Sequence, residues 1–334
     1  MKISNKIFVP LAILPLNKII AQKKDSIPQK VVAFVTDKFP QSRDLNVEFI
    51  QLAPHKYSSK LYGESLPDNK IKNLQQVKVN ANFYFIKNAK WMLSTSLNYK
   101  YTSVNAENPI SIFPKNIFNK QDFHYHSESL SLTRFSKLFG KTAIYSATAS
   151  VDGSEQHFER VRGMLAGSVI VTANANTTFT LGLAALIDPS GQIPVFPLPV
   201  ITYKHNFDNG WIADIILPSK IMMRKNIFTN GRFSIGTEMD NTSFYIYQDD
   251  KKYEFRQLEI NSGASYEHKL GGNFIGTLKT GMRAAPNARI FNKEDTFKDY
   301  ILEAKAKPSF YFNVGISYNP FGKPRERNKN ISSI

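Results

Sequence analysis

From Trp91 to Tyr101 the side chains alternate in character. Trp91, Leu93, Leu97, Tyr99 and Tyr101 are large and apolar or aromatic, with Thr95 among them. Met92, Ser94, Ser96, Asn98 and Lys100 are mostly small or polar. Successive side chains on a strand point to opposite faces, so this is a strand with one apolar and one wet side. The same period runs through VKVNANFYF (77–85), TAIYSATASV (142–151), TFTLGLAAL (178–186) and FYFNVGISY (310–318). The wet faces are rich in Ser, Thr, Asn and Gly, which suits a water-filled or plugged lumen.

The connections predict an architecture. Short turns are expected near Lys87–Lys90, Lys137–Gly140, Ala173–Asn176, Asn206–Asn209, Asn226–Asn230 and Lys269–Gly272. Longer segments fall between them, at Pro54–Lys72, Ser103–Gln121, Asp152–His157, Asp188–Leu198, Asp240–Lys251 and Pro286–Lys307. The exception is Pro218-Ser219, a short break where a long loop is due. Short turns on one side and long loops on the other describe an all-β, antiparallel transmembrane β-barrel with short periplasmic turns and longer extracellular loops. The expected count is about fourteen strands, bracketed by twelve and sixteen. The segments Trp211–Leu217 and Lys220–Lys225 are the weakest of these. Phe297, Tyr300, Ile301 and Ala304 stand at helical spacing, so a short helix over Asp295–Lys307 competes with an irregular loop.

Alternation alone fits a soluble β-sandwich as well. Strand length separates the two: the clear strands exceed the usual five or six residues. Trp91 and Tyr101 also lie about 25 Å apart along a tilted barrel strand, the height of an apolar band between aromatic girdles. Trp91, Tyr99, Tyr101 and Tyr318 are the candidate membrane-interface aromatics. The last strand ends aromatic, at Phe321. The test of lipid against core is whether Phe83, Trp91, Leu181 and Phe312 face outward or pack together inside.

The N-terminus changes the compartment. MKISNKIFVPLAILPLNKIIAQ has Lys2 and Lys6, then an apolar run from Ile7 to Leu16. That pattern predicts a signal peptide over residues 1–21. The run is too short for a spanning helix, which needs about 20 residues. Residues 22–43 follow as a periplasmic segment, in which VVAFV reads as an extra short strand or a stub. The barrel is expected over residues 44–321, and a basic tail over 322–334. The location implied is the cell outer membrane.

The blocks Lys90–Tyr99, Thr177–Phe207 and Gly210–Lys225 resemble an uncharacterised outer-membrane β-barrel family of Bacteroidetes-type bacteria. The resemblance covers most of the chain from Leu45 onward. It implies fold and location; the family carries no substrate, so it transfers no functional residues.

Charge narrows the function. The formal net charge is +16, aromatics make up 13% of the chain, and there is no Cys. A disulfide scaffold is excluded. Nucleic-acid binding is not expected, because the aromatics alternate at strand period as a lipid face would. The lumen face is predicted to carry Lys78, Lys100, Arg160, Arg162, Arg232, Lys279 and Arg283, with Glu48, Asp214, Glu238 and Glu259 as acidic members. Basic rings favour anions in a pore; pairing across the interior would instead form a plug. Arg160 and Arg162, two apart on one face, are the main candidates for either role. Four prolines in DPSGQIPVFPLP (188–199) suggest a rigid lid or constriction.

His124, His126, Ser127 and Glu128 are the parts of a nucleophilic site. However, Ser127 points away from the two His, and a third metal ligand is missing beside them. GGNFIG offers no helix N-terminus to a phosphate. No catalytic residue, metal or cofactor is expected. The reading is a passive pore or a small-solute binder or transporter with a mildly basic lumen. The alternatives are a structural or adhesion barrel and, behind it, an outer-membrane enzyme. Expected partners are outer-membrane lipid, the barrel assembly machinery and small anionic solutes.

Overall fold

The computed structural model describes residues 27–107, 120–188, 194–248 and 250–320. The expected signal peptide, Phe321 and the basic tail lie outside them. A helix, α1 (Ile27–Lys38), precedes fifteen strand segments. These are β1 (Leu45–Leu52), β2 (His55–Leu61), β3 (Glu64–Lys87), β4 (Trp91–Ala106), β5 (Lys120–Leu138), β6 (Lys141–Gly153), β7 (Phe158–Ala173) and β8 (Thr177–Ile187). They continue with β9 (Val195–Asn206), β10 (Trp211–Leu217), β11 (Lys220–Ile227), β12 (Gly231–Gln248), β13 (Lys251–Gly271), β14 (Phe274–Asn292) and β15 (Tyr300–Tyr318).

From β2 to β15 consecutive strands pair antiparallel, and the ring closes. β1 pairs with β15 on one side and β3 on the other. β2 also pairs with both, so β1 and β2 are two halves of one stave, broken at Ala53-Pro54. Fifteen segments therefore make a closed barrel of fourteen staves, the number the alternation predicts. Closure leaves no sheet edge around the ring at the level where every stave is paired, which is what a bilayer demands of strands.

The side chains are distributed inside out. Phe83 is 49% exposed, Trp91 37%, Leu181 44% and Phe312 43%, all on the outer face. Asn46, Gln76, Asp214 and Glu259 are buried on the inner face. In a water-soluble protein, charged residues are almost never fully buried unless paired, and large apolar patches are rare on the surface. Hydrocarbon outside and a polar interior satisfy both sets at once, so this is an outer-membrane β-barrel.

Two features shape the interior. The first is a row of glycines across three strands: Gly236 faces Gly263, and Gly263 faces Gly281. A Cβ on Gly263 would lie 2.1 Å from the Thr280 carbonyl oxygen. Such rows mark tight bends at barrel corners. Above this one, β12 and β13 lean into the lumen until Phe244 stacks on Phe123 of β5, with ring centroids 3.9 Å apart. The second feature is the short β10–β11 hairpin. Its last rungs are Leu217 against Ile201 of β9 and Lys220 against Glu238 of β12. Beyond them the wall has a notch between β9 and β12.

Several expected loops are strands. Pro54–Lys72 forms all of β2 and the start of β3, joined by the two-residue turn Tyr62-Gly63. Both of those residues have positive φ. Asp240–Lys251 is largely strand as well. Pro286–Lys307 continues β14 to Asn292 and resumes as β15 at Tyr300. The pairing of Leu61 with Leu302 shows the reason: the staves extend beyond the apolar band, where both faces are wet and alternation fades. Of the two readings of Asp295–Lys307, the short helix does not form. Phe297 and Tyr300 instead stand against the Arg289 guanidinium, at 4.7 and 4.2 Å from their ring centroids. Val195–Pro199, expected in a lid, is the start of β9; residues 189–193 lie outside the described set.

Candidate functional site

The periplasmic end of the lumen is filled by α1. The VVAFV stretch, expected as a short strand or periplasmic stub, is the middle of this helix. Pro28 sits in its first turn, where a missing N–H costs nothing. Val32 is buried against Met92 and Phe135 of the inner wall. A lattice of ion pairs then ties the end of the helix to the barrel. Lys38 Nζ lies 2.7 Å from Asp214 Oδ1, and Arg224 bridges Asp214 at 2.8 Å. Arg232 holds Asp37 and also Glu267, which Arg43 shares. Arg43 further donates from Nε to the Thr36 carbonyl at 3.0 Å and from Nη1 to Ser317 Oγ at 2.7 Å.

These charges set each other's protonation. Burial alone would raise the Asp37 carboxyl, but Arg232, Lys38 and Arg224 outweigh it and hold it below the ordinary range. Burial lowers the Lys38 ammonium to about 8, with Arg224 adding to the effect; Asp214 and Asp37 oppose it. At the rim, burial pushes the Asp44 carboxyl up to about 6 against the pull of Lys87.

The extracellular end is closed by the leaning β12–β13 arm. Tyr245 donates its hydroxyl proton to Asp152 Oδ1 at 2.5 Å, and Tyr247 donates to Glu159 at 3.0 Å. Glu254 on the arm binds Arg160 at 2.9 Å and Arg162 at 3.3 Å, and it also pairs with Arg256. Asp188 bonds all three arginines, at 3.3 to 3.4 Å.

Between the two closures is a chamber of about 400 Å³. Phe39 and Gln41, just after α1, form its floor. Its charged lining is Lys78, Lys100, Arg162, Lys220, Lys279 and Arg283 against Glu48, Asp152, Glu238 and Asp240. Most of these are paired. Lys78 binds Asp240; Lys279 and Lys220 share Glu238 at 2.7 and 3.4 Å; Arg162 meets Asp152 at 2.6 Å. Arg283 turns to Glu259 at 3.1 Å. Among the described residues Lys100 has no carboxylate within 4 Å, although Asp240 and Glu259 act on it from further off. Its Nζ donates to the Asn241 carbonyl and, at 3.2 Å, to Thr242 Oγ1, both on the arm.

All the lumen residues named from the sequence do face inward, but in three groups. Arg232 and Asp214 hold the plug helix. Arg160 and Arg162 fix the arm. Lys78, Lys100, Lys279, Arg283, Glu48 and Glu259 surround the chamber. The four candidate interface aromatics face outward. Trp91 lies under Arg134, 5.3 Å from its guanidinium, and Tyr318 packs beside Phe274. Tyr99 bonds His124 at 2.7 Å, and Tyr101 donates to Asp122 at 2.8 Å.

The candidate nucleophilic set does not converge. His124, His126 and Glu128 pair with the outward residues Tyr101, Tyr99 and Leu97, whereas Ser127 pairs with inward Asn98. His126 bonds Glu128 at 3.0 Å, on the outer surface.

Sequence reasoning missed Asp37, Lys38, Arg43 and Glu267. The signal was a charged cluster directly after the apolar VVAFV and before the first strand. It also missed Phe244, Tyr245 and Tyr247, whose aromatic character reads equally well as a loop or an interface.

The family model described as a domain of unknown function, DUF6268, matches residues 45–319, and the chain belongs to that family. No curated protein matches it. Among solved structures it is similar to an outer membrane channel from Pseudomonas putida F1. The identity is 9%, over 82% of this chain and 94% of that one, with a TM-score of 0.37. The toluene transporter TodX of Pseudomonas putida is 10% identical over 83% of this chain and 90% of its own, with a TM-score of 0.31. The outer membrane protease OmpT of Escherichia coli is 8% identical over 82% of this chain and 96% of its own, with a TM-score of 0.23.

Proposed function

We propose that this DUF6268 barrel is a gated outer-membrane transporter that takes a small anionic solute into its central chamber. The observation that carries the reading is Lys100. Among the described residues it is a chamber cation whose hydrogen bonds go to neutral acceptors, with Asp240 and Glu259 acting on it from further off, in a lining of six cations and four anions. An anion entering the chamber would bring this cation a full opposite charge, which carbonyl and hydroxyl partners do not supply. The chamber is closed below by α1 and above by the arm, so passage from end to end requires one or both to shift. That distinguishes it from an open passive pore. A Bacteroidetes-type source, implied by the resembling blocks, belongs to the same proposal.

Planar bilayers test this reading. The wild type is expected to show low conductance with a reversal potential favouring chloride under a KCl gradient. Lys100→Gln is expected to shift that potential toward potassium. A large, cation-selective conductance indifferent to Lys100 would overturn it. The filled lumen also favours a second reading, a barrel that transports nothing and acts through its outer surface. Bilayers that stay silent in both proteins, with no solute bound, would select that one.

A further inference from the structure

The wall beside the chamber is incomplete, and the residues around the notch are built for it. On β9 the rungs to β10 end with Ile201, so Val195–Val200 pair only with β8 among the described residues. Asn206 N donates to the Asn176 carbonyl on the β8 side. N–H groups alternate along a strand, so those at odd positions of β9 point away from β8, toward the notch. Two of those positions are Pro197 and Pro199, which have no N–H. An unpaired donor facing hydrocarbon is costly, and proline removes the donor outright. The edge is thus made to remain unpaired.

The inner face at this edge is also unlike the rest of the lumen. Leu186 stands against Phe196, Ala184 against Leu198 and Gly182 against Val200. Leu186 is opposite Met164, two residues from lumen-facing Arg162, so this set points inward. Leu186 is 39% exposed and Phe196 46%. The outer face of the same two strands carries Leu181 and Leu183, also exposed. A wall that separates lipid from water is apolar on one side only; this one is apolar on both. The chamber reaches the sill of the notch, where Ser219, Lys220 and Met239 line it.

We propose that the notch between β9 and β12 is a lateral portal between the chamber and the membrane, used by a single-chain amphiphile with an anionic head. The alkyl chain lies along Leu186, Phe196, Leu198 and Val200. The head reaches Lys100, whose Nζ bonds the Asn241 carbonyl on the β12 border of the notch. The head-group assignment rests on the chamber reading above; the portal does not.

The chain has no Cys, so single cysteines can be placed without background. Leu198→Cys and Val200→Cys, each carrying a nitroxide in the full chain in phosphatidylcholine vesicles, test the portal. Leu183→Cys is the lipid-facing reference and Ser127→Cys the chamber reference. Heat-modifiable migration confirms folding of each variant. Both portal labels are expected to collide with oxygen in preference to a water-soluble nickel chelate, as at Leu183. Collisions like those at Ser127 for both labels would overturn the portal. Dodecanoate is expected to bind the wild type about tenfold more tightly than Lys100→Gln, the ratio for one lost charged contact of about 1.4 kcal/mol, with dodecanol indifferent to the change. Equal dodecanoate binding by the two proteins, with the labels still oxygen-preferring, would overturn the anionic head and the role of Lys100 while leaving the portal in place.

Discussion

Arg232 Nη1 lies 2.5 Å from Asp37 Oδ1, joining the wall strand β12 to the last turn of the plug helix α1. The same guanidinium also binds Glu267, and Glu267 binds Arg43 just beyond the helix. One carboxylate on β13 thus serves two arginines, one from the wall and one from the N-terminal segment. Buried networks of this kind are weak evidence for stability, but removing one member leaves uncompensated charge.

Glu267→Gln is therefore expected to loosen the plug rather than the barrel. The loss is about 3–5 kcal/mol at the helix attachment. Hydrogen exchange should speed up at α1 amides while the amides of β13 and β14 stay protected. Single-channel conductance should rise in the same variant. Unchanged exchange at α1 would show that Val32 packing and the Lys38–Asp214 and Arg232–Asp37 pairs hold the helix without Glu267.

Asp44 predicts a pH dependence. Its folded pKa of about 6 lies above the ordinary carboxylate value of 3.8. Between those values the folded state keeps a proton that the unfolded state has released. Stability from this group is therefore full below pH 3.8 and is lost as pH rises through 6. Asp44→Asn should match the wild type at pH 4 and exceed it at pH 7 in urea-unfolding midpoint. A variant equal to the wild type at both values would contradict the assignment.

Gly263→Val tests the bend. A Cβ there meets backbone atoms of Thr280 and Gly281, which cannot swing aside as a side-chain tip can. Forcing atoms into a packed site costs about 1–3 kcal/mol, and a backbone clash of this depth should reach or exceed that range. The expected result is reduced folding yield and loss of heat-modifiable migration. The same change at Gly140, where an added Cβ meets nothing within 4 Å but φ is +73°, should cost less.

Phe244→Ala tests the arm. Phe244 is stacked between Phe123 at 3.9 Å and Phe255 at 4.4 Å. Truncating a buried Phe costs about 3–5 kcal/mol. The arm should come away from β5, and conductance should rise without loss of barrel migration. Phe244→Leu keeps much of the volume and should fall between the two.

Much of the fold was legible because lipid and lumen impose opposite demands on alternate residues. The staves around Trp91, Leu181 and Phe312 repeat that demand for ten or more positions, and the short turns between them need little else. Legibility ended where the demand ended. His55–Leu61 and Ser243–Gln248 stand where no hydrocarbon selects one face, so the first, polar, resembles a loop and the second, aromatic, fits a loop or an interface equally well. The inward face was legible for the same reason as the outward one: Lys78, Lys100 and Arg283 alternate with outward residues along their strands and line the lumen. Their grouping was not, because Lys78 and Asp240 are far apart in sequence and meet only when β12 crosses the lumen. The anomaly at Pro218-Ser219 was visible as a missing loop. That it opens the wall follows only from the register of β9 and β12.

Pro197 and Pro199 have a consequence beyond a single molecule. A bare strand flank invites another chain to complete the ladder, and crowded membranes bring such flanks together often. With no donor at either position, a neighbouring copy cannot zip its own sheet onto this one. Each barrel keeps its breach unsealed at any surface density, and the population does not drift into shared, fused cylinders.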